Sequence, residues 1–120
     1  MTRLDLSGMW VASYPDSGVI GFVGLILKGR AGMVDPVIVA GGHRGRGVGR
    51  ALLGHVAEEA RRRGLRELSA SPELRNAETI HCLHGAGYGA ASSITFTLDL
   101  AGGRQDAAGA IDVHGVTFEY

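Results

Sequence analysis

The chain has 120 residues, enough for one core and near the small end for an α/β enzyme. Twelve basic and twelve acidic side chains cancel, which excludes a whole-molecule field for holding nucleic acid or an anionic membrane. The single cysteine, Cys82, excludes an internal disulfide, and no run approaches the roughly 18 apolar residues of a membrane span or the pattern of a cleaved signal, so a cytoplasmic protein is expected.

Met9 to Tyr14 is a short apolar run, and Pro15, Asp16, Ser17 and Gly18 supply a turn before Val19 to Leu27, which reads as a hairpin. Lys28, Gly29 and Arg30 turn the chain again into Ala31 to Ala40, a third antiparallel strand. These runs are apolar at nearly every position, so a sheet covered on both faces is expected. Pro36 cannot donate to a sheet ladder and marks an edge or a bulge.

Arg44, Gly45, Arg46, Gly47, Val48 and Gly49 lie between the strand end Val37 to Ala40 and a helix-like run, Val48 to Arg63. Strand, glycine turn and helix together make a phosphate site. The first helical N–H groups have no intrahelical partner, the peptide dipoles add positive charge there, and side chains at the glycines would hold an anion away or forbid the backbone angles. A nucleotide-triphosphate loop needs Lys then Ser or Thr after its last glycine, and here Arg50 and Ala51 follow Gly49. A dinucleotide fingerprint needs G-x-G-x-x-G and a later acidic residue, which the two-apart glycines do not provide. A plain helix entry or a solvated loop is the alternative reading.

Val48, Leu52, Val56 and Ala60, with Leu53 and Ala57 alongside, form one apolar stripe. Glu58 with Arg62 and Glu59 with Arg63 are i,i+4 pairs, Arg61 to Arg63 suit the negative helix end, and Gly64 suits the stop. The triple arginine is therefore helix chemistry rather than a nucleic-acid patch. A short strand follows at Leu65 to Ser71, then Asn76 opens a second helix that ends at Gly87 and Tyr88. Ile94 to Leu100 alternates as a strand with one wet face, 101–110 reads as a flexible connector, and a final strand is expected within 111–120, from Val113 to Tyr120. The whole of 1–120 is expected to be a single domain.

Arg44, Gly47 and Gly49 follow R-x-x-G-x-G, and Asn76, a helix, Gly87 and Tyr88 follow in order. In both motifs, and over about residues 8 to 100, the chain resembles the Gcn5-related N-acetyltransferase (GNAT) family. The resemblance implies a mixed α/β (α+β) acyl-coenzyme A N-acyltransferase fold, its mostly antiparallel sheet ending in a splayed parallel pair. The first strand and two helices that usually precede Met9 in the family are missing, so a homodimer completing the acceptor wall is expected.

The family's activity implies acetyl transfer from acetyl-coenzyme A, as co-substrate, to a primary amine of a small molecule or protein by direct attack. No metal, nucleic acid or membrane enters that chemistry. The pyrophosphate would lie on Arg44, Gly45, Arg46, Gly47, Val48, Gly49 and Arg50, although Arg44 and Arg46 read equally well as solvated. The pantetheine would pair as an extra strand with Val37, Ile38 and Val39, with the Val39 N–H as oxyanion donor and Asn76 either touching the arm or capping its helix. Leu83, also placed beside the coenzyme, occupies the position where the family often carries the Tyr that protonates the leaving thiolate. Met33 replaces the family's carboxylate, leaving Asp35, two residues on and on the same strand face unless a bulge changes parity, as the candidate base. His43, His55, His81 and His114 are dispersed, and His81 with His84 lacks further metal partners. A non-catalytic acyl-coenzyme A sensor or partner subunit is the alternative function.

Overall fold

The computed structural model describes residues 6–14, 16, 18–43 and 47–120. Four strands form a mixed sheet in the order β1 (Leu6–Tyr14), β2 (Gly18–Lys28), β3 (Ala31–Val39), β4 (Glu67–Ser69). The first three run antiparallel, as expected from the two turns; of the first turn, Pro15 and Ser17 lie outside the described residues. β2 is central and carries the most buried side chains, Val23 and Leu25, both at 0% exposure.

Helix α1 (Val48–Arg62) lies across one face of this sheet. Its Val48, Leu52, Leu53, Val56 and Ala60 are buried, and four of them pack with Ile20, Val23, Leu25 and Val34 in one core. The four-residue spacing read from the sequence is therefore the core stripe. Its end is a Schellman turn: Gly64 adopts φ +75°, its N–H donates to Arg61 O at 3.0 Å, and the Leu65 N–H donates to Ala60 O at 3.0 Å. The arginine pairs differ in part from the i,i+4 expectation. Arg61 pairs with Glu58 and Arg62 with Glu59, one residue closer than i,i+4, while Arg63 meets Glu59 at 3.2 Å as expected.

The other face of the sheet is not covered by a helix among the described residues. Trp10, Ala12, Val37 and Val39 pack toward the core, whereas the alternating Met9, Val11 and Ile38 are exposed. The expectation of a sheet covered on both sides is corrected accordingly: an unbroken apolar run records that burial is favourable, not that a covering layer exists.

The parallel pair is short. β3 joins β4 only from Ala31 to Met33, opposite Glu67 to Ser69, and beyond Met33 it continues to Val39 along β2 alone. The break has a local cause. Between Val23↔Val37 and Leu25↔Val34, β2 supplies one residue, Gly24, and β3 supplies two, Asp35 and Pro36, which is a bulge at the proline that cannot donate. The two strands therefore splay, and helix α2 (Ala77–Gly85) packs against α1 beside the opening.

The carboxyl-terminal third corrects two sequence expectations. Ile94 to Leu100 forms no strand, and Leu98 and Leu100 are 80% and 90% exposed. Alternation states which face would be wet but supplies no partner ladder. The final strand is instead a hairpin, β5 (Ala110–Val113) and β6 (Val116–Glu119), which among the described residues forms a two-stranded sheet of its own. Its turn residues His114 (φ +52°) and Gly115 (φ +82°) are both left-handed, as a tight two-residue hairpin requires. Phe118 stacks on Phe96 with ring centroids 4.4 Å apart. The 101–110 connector is tethered: Asp99 accepts three backbone N–H bonds, from Ala101, Gly102 and Arg104, and the Arg104 side chain donates to Glu119 O at 2.7 Å.

Candidate functional site

Where β3 and β4 separate, a cleft of about 1110 Å³ opens. One wall is the outer edge of β3, Val37 to Val39. The Ala40 N–H donates to Ile20 O at 2.7 Å, so alternation along the strand turns the Val39 amide toward the opposite, cleft-side edge.

A second wall is the start of α1, from Gly47 to Arg50. Gly47 is the N-cap in the left-handed region, φ +79°, with no side-chain cap, and its carbonyl accepts the first helical bond from the Ala51 N–H at 3.0 Å. The amides of Val48, Gly49 and Arg50 therefore have no helical acceptor, and the positive end of the helix faces the cleft. Gly47 is a glycine for its backbone angle, since a β-carbon there would meet nothing within 4 Å. Gly49 is a glycine for packing, since a β-carbon there would lie 3.1 Å from Cys82 Sγ on α2. Arg44, Gly45 and Arg46, the rest of the turn singled out in the sequence, lie outside the described residues.

The third wall is α2. Asn76 is its N-cap, its Oδ1 accepting the Thr79 N–H at 3.2 Å, and both residues line the cleft. Sequence reasoning missed Arg75, His81 and Cys82, which line the cleft as well. The signal was present: Glu78, His81 and Cys82 are spaced i, i+3, i+4 on one helix face, opposite the buried Leu83. Arg50 is drawn aside, its guanidinium donating to Gly85 O at 3.2 Å at the negative end of α2.

Two of the singled-out residues stand elsewhere. Leu83 is 6% exposed, packed in the core and absent from the cleft lining. Asp35 is exposed at the bulge and lines neither this cleft nor a second, apolar cavity of about 460 Å³ between β1 and α1, where Trp10 and His55 meet edge to face at 5.5 Å. Tyr88, after α2, packs against the core, and burial holds its phenol above the ordinary value. Among the described residues no group of three or more His, Cys, Asp or Glu could hold a metal ion, and no helix is long and apolar enough to cross a membrane.

The cleft can therefore accept an extended amide-bearing arm along β3 and an anion at the start of α1, with donors from both. Comparison with known proteins identifies the family. The model of the acetyltransferase (GNAT) family matches residues 2–88. Streptothricin acetyltransferase from Streptomyces lavendulae is 40% identical over 55 residues, which are 46% of this chain and 29% of that protein. The crystal structure of nourseothricin acetyltransferase superposes with a TM-score of 0.63 at 40% identity, covering 66% of this chain and 48% of that one. The structure of AAC(6′)-Iy in complex with the bisubstrate analog CoA-S-monomethyl-acetylneamine gives a TM-score of 0.66 at 18% identity, over 79% of this chain and 70% of that one, and shares the fold. The chain thus spans less than half the length of streptothricin acetyltransferase and of nourseothricin acetyltransferase.

Proposed function

From the premise that this chain belongs to the acetyltransferase (GNAT) family, we propose that it moves an acetyl group from acetyl-coenzyme A to a primary amine by direct attack within a ternary complex. The observation that carries this is the junction of three features in one cleft: the open edge of β3, the uncapped start of α1 and the first turn of α2. The name of streptothricin acetyltransferase favours a small-molecule amine over a protein amine as the acceptor.

In this reading the pyrophosphate sits on the amides of Val48, Gly49 and Arg50. The pantetheine arm runs along Val37 to Val39 as an added strand. The thioester carbonyl then lies by the Val39 amide, and one such donor is typically worth about 3 to 4 kcal/mol in the tetrahedral intermediate. The attacking amine, with a free pKa near 10.4, gives its proton to water, because Asp35 lines neither the cleft nor the second cavity. Among the described residues no tyrosine lines the cleft to serve the departing thiolate, and position 83 is a leucine buried in the core. With a thiol pKa near 8.5, that absence costs only about 2 kcal/mol at neutral pH.

The inward Leu83 also favours a second reading, an acyl-coenzyme A sensor that binds without turnover. Release of free thiol from acetyl-coenzyme A across a panel of amines, streptothricin and aminoglycosides included, separates the two. Amine-dependent thiol release supports the transferase. Saturable binding with no release for any amine overturns it in favour of the sensor.

A further inference from the structure

We propose that β1 pairs with β1 of a second copy of this chain, edge to edge and antiparallel about a two-fold axis at Val11, so that two four-stranded sheets become one. This edge lies apart from the cleft, and the pairing does not rest on the proposed activity.

β1 is hydrogen-bonded to β2 on one side, and among the described residues no strand joins its other side. The outer N–H and C=O groups of such an edge are a template for another strand, and proteins blunt them with charge, proline or short length. The other edges are blunted in this way. β4 is three residues long and opens on Glu67, while β5 and β6 are four residues each and carry Asp112 and Glu119. β1 runs nine residues, Leu6–Tyr14, with no charge and no proline.

The edge is also regular. Of its two breaks in register with β2, one sets Ser7 out as an extra residue of β1, and the other falls on β2, at Ile20. Gly8 to Tyr14 is therefore a continuous run whose middle residue is Val11. Self-pairing by a two-fold needs the axis to pass through a residue, because only then do like faces of the two sheets join. With the axis at Val11, Trp10 of one copy faces Ala12 of the other. Val11 faces its counterpart, a β-branched pair of the kind that stabilises sheets.

The surroundings favour a second copy as the occupant. Val11, Phe22 and Ile38 lie side by side across β1, β2 and β3 on the face without a helix, with Val11 58% and Ile38 46% exposed. The two-fold extends this apolar row unbroken from one copy into the other. Neither copy brings a charge to the edge, and the formal net charge of the chain is zero, so identical copies meet without the like-charge opposition of a charged self-pairing strand. On the α1 side, the apolar cavity of about 460 Å³ is lined by four successive residues of β1, Trp10 to Ser13. Successive side chains point to opposite faces, so a space touched by all four opens round the free edge, where a partner strand closes it. The homodimer expected from the sequence then joins at β1, with β2 and β3 between this edge and the cleft.

The test is sedimentation of the full chain from about 2 to about 200 μM, a range that brackets the micromolar dissociation constant expected of a small interface. The mass is expected to rise from one chain to two. Residue-resolved hydrogen exchange at the two ends of the range should slow every second amide between Gly8 and Tyr14 about fivefold at the higher concentration and leave the alternate amides, which face β2, unchanged. Val11→Lys sets two cations opposite each other at the axis and should stay one chain throughout, whereas Val11→Ile should dimerise like wild type. Thermal melts check that these exposed substitutions leave the fold intact. A wild-type mass of one chain throughout, a two-chain mass without the alternating protection, or a Val11→Lys protein as dimeric as wild type overturns the pairing.

Discussion

The Arg50 guanidinium donates to the Gly85 carbonyl at 3.2 Å, so the first turn of α1 is clamped to the last residue of α2 across the mouth of the cleft. A β-carbon at position 85 would meet the end of the Arg50 side chain, which can swing aside at the cost of this one hydrogen bond. Arg50→Ala should cost about 0.5 to 1 kcal/mol, the scale of an exposed cation at a helix C-terminus. Gly85→Ala should be close to neutral in the wild-type background, where displacing the clamp offsets the helix preference of alanine, and should stabilise the Arg50→Ala background by about 0.5 to 1 kcal/mol. Urea denaturation of the four proteins reads the difference; identical effects in both backgrounds would show that the two residues do not interact.

The glycines of the α1 start should fail for different reasons. Gly47→Ala strains a left-handed residue by about 1 kcal/mol with no steric collision, and it should weaken coenzyme A binding by turning the first amides away. Gly49→Ala places a methyl 3.1 Å from Cys82 Sγ, and overpacking of this kind costs about 1 kcal/mol or more. Adding Cys82→Ala should restore most of the stability lost in Gly49→Ala and none of that lost in Gly47→Ala. Chemical denaturation of the single and double variants measures both.

Tyr88 has a buried hydroxyl without a hydrogen-bond partner among the described residues. Tyr88→Phe removes that unsatisfied group, so stability should hold or rise by up to about 1 kcal/mol. Burial raises the phenol pKa in the folded state, so the associated stabilisation is complete below the ordinary value near 10 and is lost as pH rises through the folded value. Ultraviolet difference titration should show a late-titrating phenol in the wild type that Tyr88→Phe removes.

Asp99 behaves in the opposite sense. Backbone N–H bonds from Ala101 and Arg104 hold its carboxyl below the ordinary carboxylate range. The tethered turn is therefore intact above that range and loosens as pH falls through the lowered folded value. Carbon-detected NMR of the Asp99 carboxyl should report a titration below the ordinary carboxylate range, and the amide shifts of Ala101 and Arg104 should follow it. Asp99→Asn should remove the pH dependence of those two amides.

Local order was legible in the sequence because local forces decide it. The stripe of Val48, Leu52, Val56 and Ala60 gave α1 to within a residue of its end, Asn76 proved to be a cap, and Pro36 marked the bulge where the sheet opens. The family, too, was readable, since a turn rich in glycine and the spacing from Asn76 to Tyr88 are patterns along the chain.

Direction across space was decided only by the tertiary structure. Leu83 turns into the core because α2 packs its other face on α1, and Arg50 swings to Gly85 because a helix end carrying partial negative charge lies within its reach. Arg75 enters the cleft because α2 begins opposite α1. Ile94 to Leu100 has the alternation of a strand but joins no ladder, so its side chains stay exposed while the last residues pair with themselves. Periodicity fixes which side of an element is apolar; which partner meets that side depends on contacts between residues far apart in the chain, and these exist only once the fold has formed.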